Sequence, residues 1–230
     1  RVVRLPSGTS FEIGASMGVP AMTAHRALTV SEDGPERLHP GALAGKVVLV
    51  AGGAGAVGHA AIQLARWAGA VVITTISGPA KEALAAAAGA HHVINYRDED
   101  VATAIRKLAP DGVDLVVEVA IAANAQLNLD VVKPRSSVAI YANDGGSEFG
   151  LDVRQNMIKN VRYQFVLLYT VGEAALTAAV EDITHALIDG ALPVGEDAGL
   201  PLHRFPLEST ADAHQAVEDD AVGKVLIDLS

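Results

Sequence analysis

The stretch Lys46-Val-Val-Leu-Val-Ala-Gly-Gly-Ala-Gly-Ala-Val-Gly-His-Ala-Ala-Ile-Gln-Leu-Ala65 decides the fold. Its residues Val47–Ala51 form the continuous apolar run of a buried strand, and the apolar residues that follow the glycines recur at helical spacing. Between strand and helix, Gly53, Gly55 and Gly58 match the G-x-G-x-x-G spacing of a turn that binds a dinucleotide. The alternative is an ordinary glycine-rich turn, but the flanking strand and helix favour the dinucleotide interpretation.

Each glycine of this motif has a physical reason. One glycine allows the tight turn, one leaves no side chain between the backbone and a pyrophosphate, and one lets the helix pack close to the strand. The helix then presents free N–H groups and a partial positive charge to the phosphates. We therefore expect a pyrophosphate to lie against this turn.

Strands and helices alternate along the chain after residue 45. Apolar strands separated by helices predict a parallel sheet covered on both faces, that is, a doubly wound α/β (Rossmann) fold of about six strands. The predicted strands are Val47–Ala51, Val71–Ile76, His92–Ile94, Leu115–Val119, Ser137–Tyr141 and Tyr163–Leu168. The predicted helices between them are Ala56–Ala68, Ala80–Ala88, Val101–Leu108 and Asn124–Val132, with Pro110 and Pro134 closing the last two.

The two ends of the chain predict further elements. Met17–Leu28 has an amphipathic pattern, and Gly172–Gly190 is predicted to form one long helix. Leu192–Arg204 has the prolines and glycines of turns and is expected to leave the sheet. A short helix over Thr210–Asp220 and a final strand over Val225–Leu229 complete the prediction. We divide the chain into a leading segment and helix (residues 1–45), a dinucleotide-binding domain (46–195) and a C-terminal return segment (196–230).

Composition narrows the class of protein. The chain has 230 residues, a formal net charge of −10 and no cysteine. An acidic chain without a basic run is a poor partner for nucleic acid or an anionic membrane, and no apolar run reaches the roughly 18 residues of a membrane span. The absence of cysteine is compatible with a reducing compartment, and we expect a cytoplasmic protein. The first residue is Arg1 rather than methionine, so we expect a fragment that begins inside a longer protein.

The end of the second predicted strand indicates which dinucleotide binds. NAD sites place an acidic residue about 20 positions after the glycines to bond the ribose 2′-hydroxyl. Here Ile76-Ser-Gly-Pro79 contains no acid, so nothing there repels a 2′-phosphate. Ser77, Lys81 and Tyr96 follow neighbouring strands and offer hydroxyl and ammonium donors. Considered alone, Lys81 is most simply a solvated helix residue and Tyr96 an aromatic residue of a loop. Together with the absence of an acidic residue, they favour NADPH over NADH.

The motifs together resemble the zinc-independent quinone oxidoreductases of the medium-chain dehydrogenase/reductase superfamily, often called zeta-crystallin-like. The glycine run with Ala60-Ala-Ile-Gln-Leu-Ala65 and the later Gly89-Ala-His-His-Val-Ile-Asn-Tyr-Arg97 carry the resemblance. Gly14–Leu28 is similar to the helix that precedes the family's coenzyme domain. Also similar are Glu118 with Asn124, Asn156-Met157-Ile158-Lys159, His214 and Gly223–Asp228. The resemblance covers nearly the whole chain.

The resemblance implies NADPH-dependent reduction of quinones or activated C=C bonds. It implies that Thr23 meets the nicotinamide, that Gly55, Ala56 and Val57 meet the pyrophosphate, and that the 2′-phosphate site is formed by Ser77, Lys81 and Tyr96. It also implies that Tyr141 and Phe165 contact adenosine or nicotinamide. Departures from the family pattern are His25, Val119 and the pair Arg135-Ser136.

The family has an N-terminal catalytic domain, and we expect this sequence to lack it. The resemblance therefore implies a coenzyme domain whose C-terminal tail would return to an absent catalytic domain. The family also implies a homodimer, formed through the apolar strand Tyr163–Leu168 at the edge of the sheet.

No pattern in the chain predicts a metal site or a catalytic acid–base pair. The eight histidines show no H-x-x-x-H or H-E-x-x-H spacing, and strand alternation separates His91 from His92. Hydride transfer needs no such pair, because the cofactor carries the chemistry. His25 and Arg26 are the polar residues nearest the expected nicotinamide position. The alternative function is a non-catalytic nucleotide-binding or structural module of the same fold.

Overall fold

The computed structural model describes residues 2–229 and contains a six-stranded sheet in the order β3-β2-β1-β4-β5-β6. All neighbouring strands of this sheet are parallel. Their bounds are β1 Val47–Ala51, β2 Val71–Ile76, β3 His92–Asn95, β4 Val113–Glu118, β5 Val132–Ile140 and β6 Arg162–Phe165. The order confirms the predicted doubly wound fold and places its topological switch point between β1 and β4, where such sheets bind ligands.

Helices cover both faces of the sheet. Their bounds are α1 Phe11–Leu28, α2 Ala56–Trp67, α3 Pro79–Ala87, α4 Val101–Leu108, α5 Ile121–Val131, α6 Val153–Lys159, α7 Glu173–Ile188 and α8 Thr210–Glu218. Val48 and Val50 of β1 pack into one apolar core with α1, α2 and α7, whereas Leu49 packs into the other core with α4 and α5. This alternation explains why β1 is apolar at every position.

The strand β5 begins five residues earlier than the predicted Ser137. Val132 pairs with Val113, and the register resumes at Leu115 with Ser137 after an irregularity. Pro134 therefore lies within the strand and does not close the preceding helix, so that expectation was wrong. The irregularity includes Arg135, whose φ of 69° is unusual for a residue with a side chain.

Two further elements differ from the prediction. The helix α5 begins at Ile121 rather than Asn124, and the Glu118 carboxylate accepts the N–H of Ala120, the residue just before the helix, at 2.6 Å. The strand β6 ends at Phe165 rather than Leu168, and it lies at the edge of the sheet as predicted.

The segment predicted to hold only turns contains a strand. β7 (Leu202–Pro206) pairs in parallel with β8 (Lys224–Asp228), the strand predicted at Val225–Leu229. Pro201 precedes β7 and Pro206 is its last residue, so this segment has the composition of a turn, and the sequence pattern did not predict the strand. These two strands form a separate sheet and do not extend the main one.

The helix α1 is bent. Its backbone leaves helical geometry at Gly18, two residues before Pro20, which lacks the N–H for an intrahelical bond. The C-terminal half of α1, which holds Thr23, packs against α2 and α7. Among residues 2–229, none of the helices combines the length and apolar character that crossing a bilayer requires.

Candidate dinucleotide-binding site

The turn between β1 and α2 needs glycine at three positions. Gly52 has a φ of +71°, which favours glycine. A Cβ on Gly53 would lie 2.1 Å from Thr74 Oγ1, and a Cβ on Gly58 would lie 2.3 Å from the Gly52 carbonyl oxygen. Gly58 thus allows the close approach of α2 to the turn. Gly52 lies outside the three-glycine motif, although the doubled glycine in the sequence could have indicated it.

The N-terminus of α2 offers donors to an anion. Gly55 precedes the helix and supplies no capping side chain. The N–H groups of Ala56, Val57 and Gly58 have no acceptor in the part of the chain that the structure describes, whereas the N–H of His59 bonds Gly55 O at 2.8 Å. Three free N–H groups at the positive end of a helix form a cradle for phosphate. A Cβ on Gly55 would meet only Gly52 O, at 3.4 Å, so Gly55 is not required by packing.

The predicted 2′-phosphate residues follow two paired strands. Ile76 pairs with Asn95 at the carboxyl ends of β2 and β3, and the N–H of Tyr96 bonds Ile76 O at 3.1 Å. Ser77 and Tyr96 therefore start from neighbouring positions on one edge of the sheet. Lys81 lies in the first turn of α3, four residues after Ser77. Within residues 2–229 the side chains of Lys81 and Tyr96 have no hydrogen-bond or ion-pair partner, so both are available to a ligand.

Tyr141 and Phe165 lie at the ends of the neighbouring strands β5 and β6, but on opposite faces of the sheet: Tyr141 packs against the core with α1 and α2, and the Phe165 ring lies 6.4 Å from that of Phe149, which packs against the other core. Ile140 pairs with Phe165 at the ends of β5 and β6, and the N–H of Tyr141 bonds Glu118 O at 3.1 Å. Burial, with the charges of Glu118 and Asp144, raises the pKa of the Tyr141 phenol, which stays protonated. Phe165 is 60 % exposed at the sheet edge.

Glu118 is the last residue of β4 and links the end of that strand to α5. Its buried carboxylate accepts hydrogen bonds from Ala120 N, Asn124 Nδ2 at 3.0 Å and Asn128 Nδ2 at 2.6 Å. These bonds tie the strand end to the first turns of α5. The sequence singled out Glu118 and Asn124 as family features without this explanation.

His25 does not share a face of α1 with Thr23. Residues two apart on a helix point about 200° apart, and His25 Nε2 bonds Asp182 Oδ2 of α7 at 2.8 Å. Arg26 donates to the carbonyl of Thr29 at 3.4 Å. Both side chains therefore make contacts that hold the C-terminal end of α1 in place. Thr23 is buried on the opposite side of the helix.

One cavity lies away from these residues. It has a volume of about 890 Å³ and is bounded by residues 4–9 and the end of α7, and none of the predicted cofactor residues lines it. The described residues also contain no group of three or more His, Asp or Glu that could hold a metal ion, and the sequence has no cysteine. Zinc therefore has no fitting donor set in this part of the chain.

Known proteins with similar sequences belong to a family of dehydrogenases and reductases. The sequence profile of the zinc-binding dehydrogenase family matches residues 56–184. The human quinone oxidoreductase is 27% identical over 232 residues, which cover 98% of this chain and 65% of that protein. A 2-haloacrylate reductase from Burkholderia is 37% identical over 103 residues, or 44% of this chain and 31% of that protein.

A solved structure extends the comparison. The Escherichia coli quinone oxidoreductase complexed with NADPH is 25% identical, with a TM-score of 0.78 over 98% of this chain and 67% of that one. The chain spans about 65% of the length of the curated quinone oxidoreductases it matches.

Proposed function

Because the chain belongs to the zinc-binding dehydrogenase family and forms a quinone oxidoreductase-like coenzyme-binding domain of the medium-chain dehydrogenase/reductase superfamily, we propose that it binds NADPH and acts in hydride transfer. The observation that carries the proposal is the cradle of free N–H groups at Ala56, Val57 and Gly58. Beside it, Lys81 and Tyr96 have free polar groups at the neighbouring strand ends. An NADPH-bound relative supports the same cofactor here.

The proposed reaction reduces a quinone or an activated alkene. NADPH, when bound, supplies the hydride. The residues of this chain bind and orient: the glycine turn with Gly53 and Gly55 holds the diphosphate, Ser77, Lys81 and Tyr96 hold the 2′-phosphate, and Thr23, Tyr141 and Phe165 face the rest of the cofactor. The human quinone oxidoreductase and the Burkholderia 2-haloacrylate reductase, to which this chain is similar, support these two substrate classes.

Two parts of the proposal concern assembly. The sheet of β7 and β8 has only two strands, fewer than an isolated sheet needs for stability. We propose that this return segment completes its packing on a catalytic domain, and that activity depends on that domain. The exposed edge at β6 supports a homodimer, and a cytoplasmic location stays a prediction.

Titration of the chain with NADPH and NADH, followed by fluorescence, tests cofactor binding. We expect binding with a preference for NADPH. Failure to bind either dinucleotide would instead favour the non-catalytic module. Steady-state assay with NADPH and a small quinone tests the dependence on another domain: we expect turnover far below that of an ordinary enzyme. A rate near the typical ~10 per second would contradict that dependence.

A further inference from the structure

One face of α2 carries a row of polar side chains that bind a single chain segment. His59, Gln63 and Trp67 are spaced four residues apart and so form one stripe. His59 Nε2 bonds Ala198 O at 2.8 Å, Gln63 Nε2 bonds Pro193 O at 2.9 Å, and Trp67 Nε1 bonds Asp189 Oδ2 at 2.9 Å. Residues 189–199, here called the strap, therefore run along α2 from its C-terminal end to its N-terminal end.

The strap ends beside the cofactor site. Gly199 has a φ of +81°, and a Cβ there would lie 2.1 Å from Leu84 O of α3, the helix that also carries Lys81. His59 follows Gly58 directly, and its Cα lies about 4.5 Å along the helix axis from that of Ala56. Helical side chains lean toward the helix N-terminus, which brings the imidazole toward the phosphate cradle.

The hydrogen bond to the strap fixes how His59 takes up a proton. A carbonyl oxygen only accepts, so Nε2 carries the hydrogen that it donates to Ala198 O. The neutral ring then has its free lone pair on Nδ1. His59 is only 1% exposed, and this burial lowers the pKa of the imidazole, with the Ala198 carbonyl as the opposing influence. The ring is therefore neutral at pH 7 in the free protein.

No charged side chain lies within ion-pair distance of His59 in residues 2–229. β1 and β2, which pack under α2, contain no ionisable residue. The charged or titratable residues on the surrounding elements are Glu12, His25 and Arg26 on α1, Arg66 on α2, Lys81 and Glu82 on α3, and Asp189, Glu196 and Asp197 on the strap. A diphosphate bound at Ala56–Gly58 would be a strong new charge acting on this ring.

We propose that His59 is a proton-linked positioning residue of the cofactor site, which takes a proton from solvent onto Nδ1 when a dinucleotide diphosphate binds at the N-terminus of α2. The inference rests on the proposed dinucleotide function and adds to it. The bound anion stabilises the imidazolium, while the Nε2–H bond to the strap stays intact. By linkage, affinity rises as the pH falls, by at most about tenfold per pH unit for one proton.

Isothermal titration calorimetry with NADH tests the proton directly. NADH is the probe because its diphosphate does not titrate near neutral pH, whereas a phosphate monoester such as the 2′-phosphate of NADPH has a pKa of about 6. Titrations near pH 6.5 in buffers of different ionisation enthalpy give the number of protons taken up. We expect net uptake by the unmodified chain and none by His59→Gln, whose amide keeps a donor for Ala198 O.

Two further variants distinguish proton uptake by the His59 imidazole from an effect of losing a hydrogen bond. His203→Gln is the matched control, because His203 Nε2 also bonds a backbone carbonyl, Val222 O at 2.9 Å, but in the separate sheet of β7 and β8. Gln63→Leu breaks the middle bond of the strap without removing the imidazole. We expect both variants to keep the proton uptake.

The outcomes are distinct. Equal proton uptake by the unmodified chain and His59→Gln would overturn the inference and leave the proposed function intact. Failure of the unmodified chain to bind NADH and NADPH would overturn the proposed function. Should His59→Gln fail to fold, the imidazole NMR titration of the unmodified chain decides: the pKa of His59 must rise when NADH is added, and an unchanged pKa would overturn the inference.

Discussion

Asp182 of α7 accepts a hydrogen bond from His25 of α1 at 2.8 Å, with both side chains buried. The same carboxylate accepts the N–H of Leu38 at 2.7 Å and two bonds from the Arg37 guanidinium. One acid thus joins two helices and the segment that follows α1. The pair fixes the half of α1 that carries Thr23, and it gives a structural role to His25.

Replacing Asp182 should destabilise the fold strongly. Asp182→Ala leaves the His25 Nε2–H and the Leu38 N–H buried without their acceptor, and each unpaired buried donor typically costs about 1–3 kcal/mol. Chemical denaturation measures the loss. Asp111→Ala is the control, because Asp111 is exposed and we expect its replacement to change the free energy of unfolding by less than about 0.5 kcal/mol. A similar small loss in the free energy of unfolding for both substitutions would contradict a stabilising role for Asp182.

Stability should fall as the solution becomes mildly acidic. Burial lowers the pKa of His25 and of His59 in the folded chain, against an unfolded value of about 6.5. Below pH 6.5 the unfolded state therefore binds more protons than the folded state, and the free energy of unfolding decreases as the pH falls. Denaturation at pH 7.5, 6.5 and 5.5 measures this slope. We expect His59→Gln to show a shallower slope, and a flat profile in the unmodified chain would refute the prediction.

Two glycines of the turn should separate binding from folding. Gly58→Ala places a Cβ 2.3 Å from Gly52 O, so it should lower the melting temperature and abolish dinucleotide binding together. Gly55→Ala meets only a 3.4 Å contact and has a φ of −79°, so it should fold normally and lose affinity, because its methyl group occupies the phosphate position. Thermal denaturation with NADPH titration measures both. Gly172→Ala, with no heavy atom within 4 Å, is the control. Unchanged affinity in Gly55→Ala would place the diphosphate elsewhere.

Lys81 should distinguish the two cofactors. Lys81→Ala removes a charged hydrogen bond to the 2′-phosphate, worth about 1.5–3 kcal/mol, and should weaken NADPH binding by about 10- to 150-fold. NADH lacks this phosphate, so its affinity should stay within about twofold of the original. Fluorescence titration with both dinucleotides measures the difference, and Lys107→Ala on α4 is the control. An equal loss for NADH and NADPH would argue against a 2′-phosphate contact at Lys81.

The edge of the main sheet should mediate the proposed dimer. Leu167 follows β6 and is 58% exposed, so Leu167→Lys would place a charge in an interface formed there. We expect light scattering to detect a dimer in the unmodified chain and a monomer in this variant. Ile188→Lys at the end of α7, where the side chain is equally exposed, should leave the dimer intact. A monomeric unmodified chain at high micromolar concentration would rule the dimer out.

The local parts of the site could be predicted from the sequence. β1, the glycine turn and α2 follow one another within about twenty residues, so apolar periodicity and glycine spacing determine them together. The neighbouring positions of Ser77 and Tyr96 also follow, because parallel topology brings consecutive strand ends to one edge. These inferences need only short-range pattern and right-handed crossovers.

The long-range parts could not be predicted in this way. His25 and Asp182 are 157 residues apart, and no spacing in the chain joins them. The acceptors of the strap are mostly backbone carbonyls, which carry no sequence signal at all. β7 was not predicted because Pro201 before it and Pro206 at its end give the segment the composition of a turn. The early start of β5 was not predicted because Pro134 lies inside an irregular pairing.

The strap has a consequence for recombining this chain with its relatives. Three hydrogen bonds tie α2 to residues 189–198, and Gly199 fits against the backbone of α3. A crossover placed at residue 195 would join the His59 imidazole of one parent to the Ala198 carbonyl position of another, and the Gly199 contact would also be split. A chimera that exchanges residues 11–201 as one block keeps the three strap donors with their own acceptors and also keeps His25, Arg37 and Leu38 with Asp182. These crossover points should therefore preserve the folded coenzyme domain.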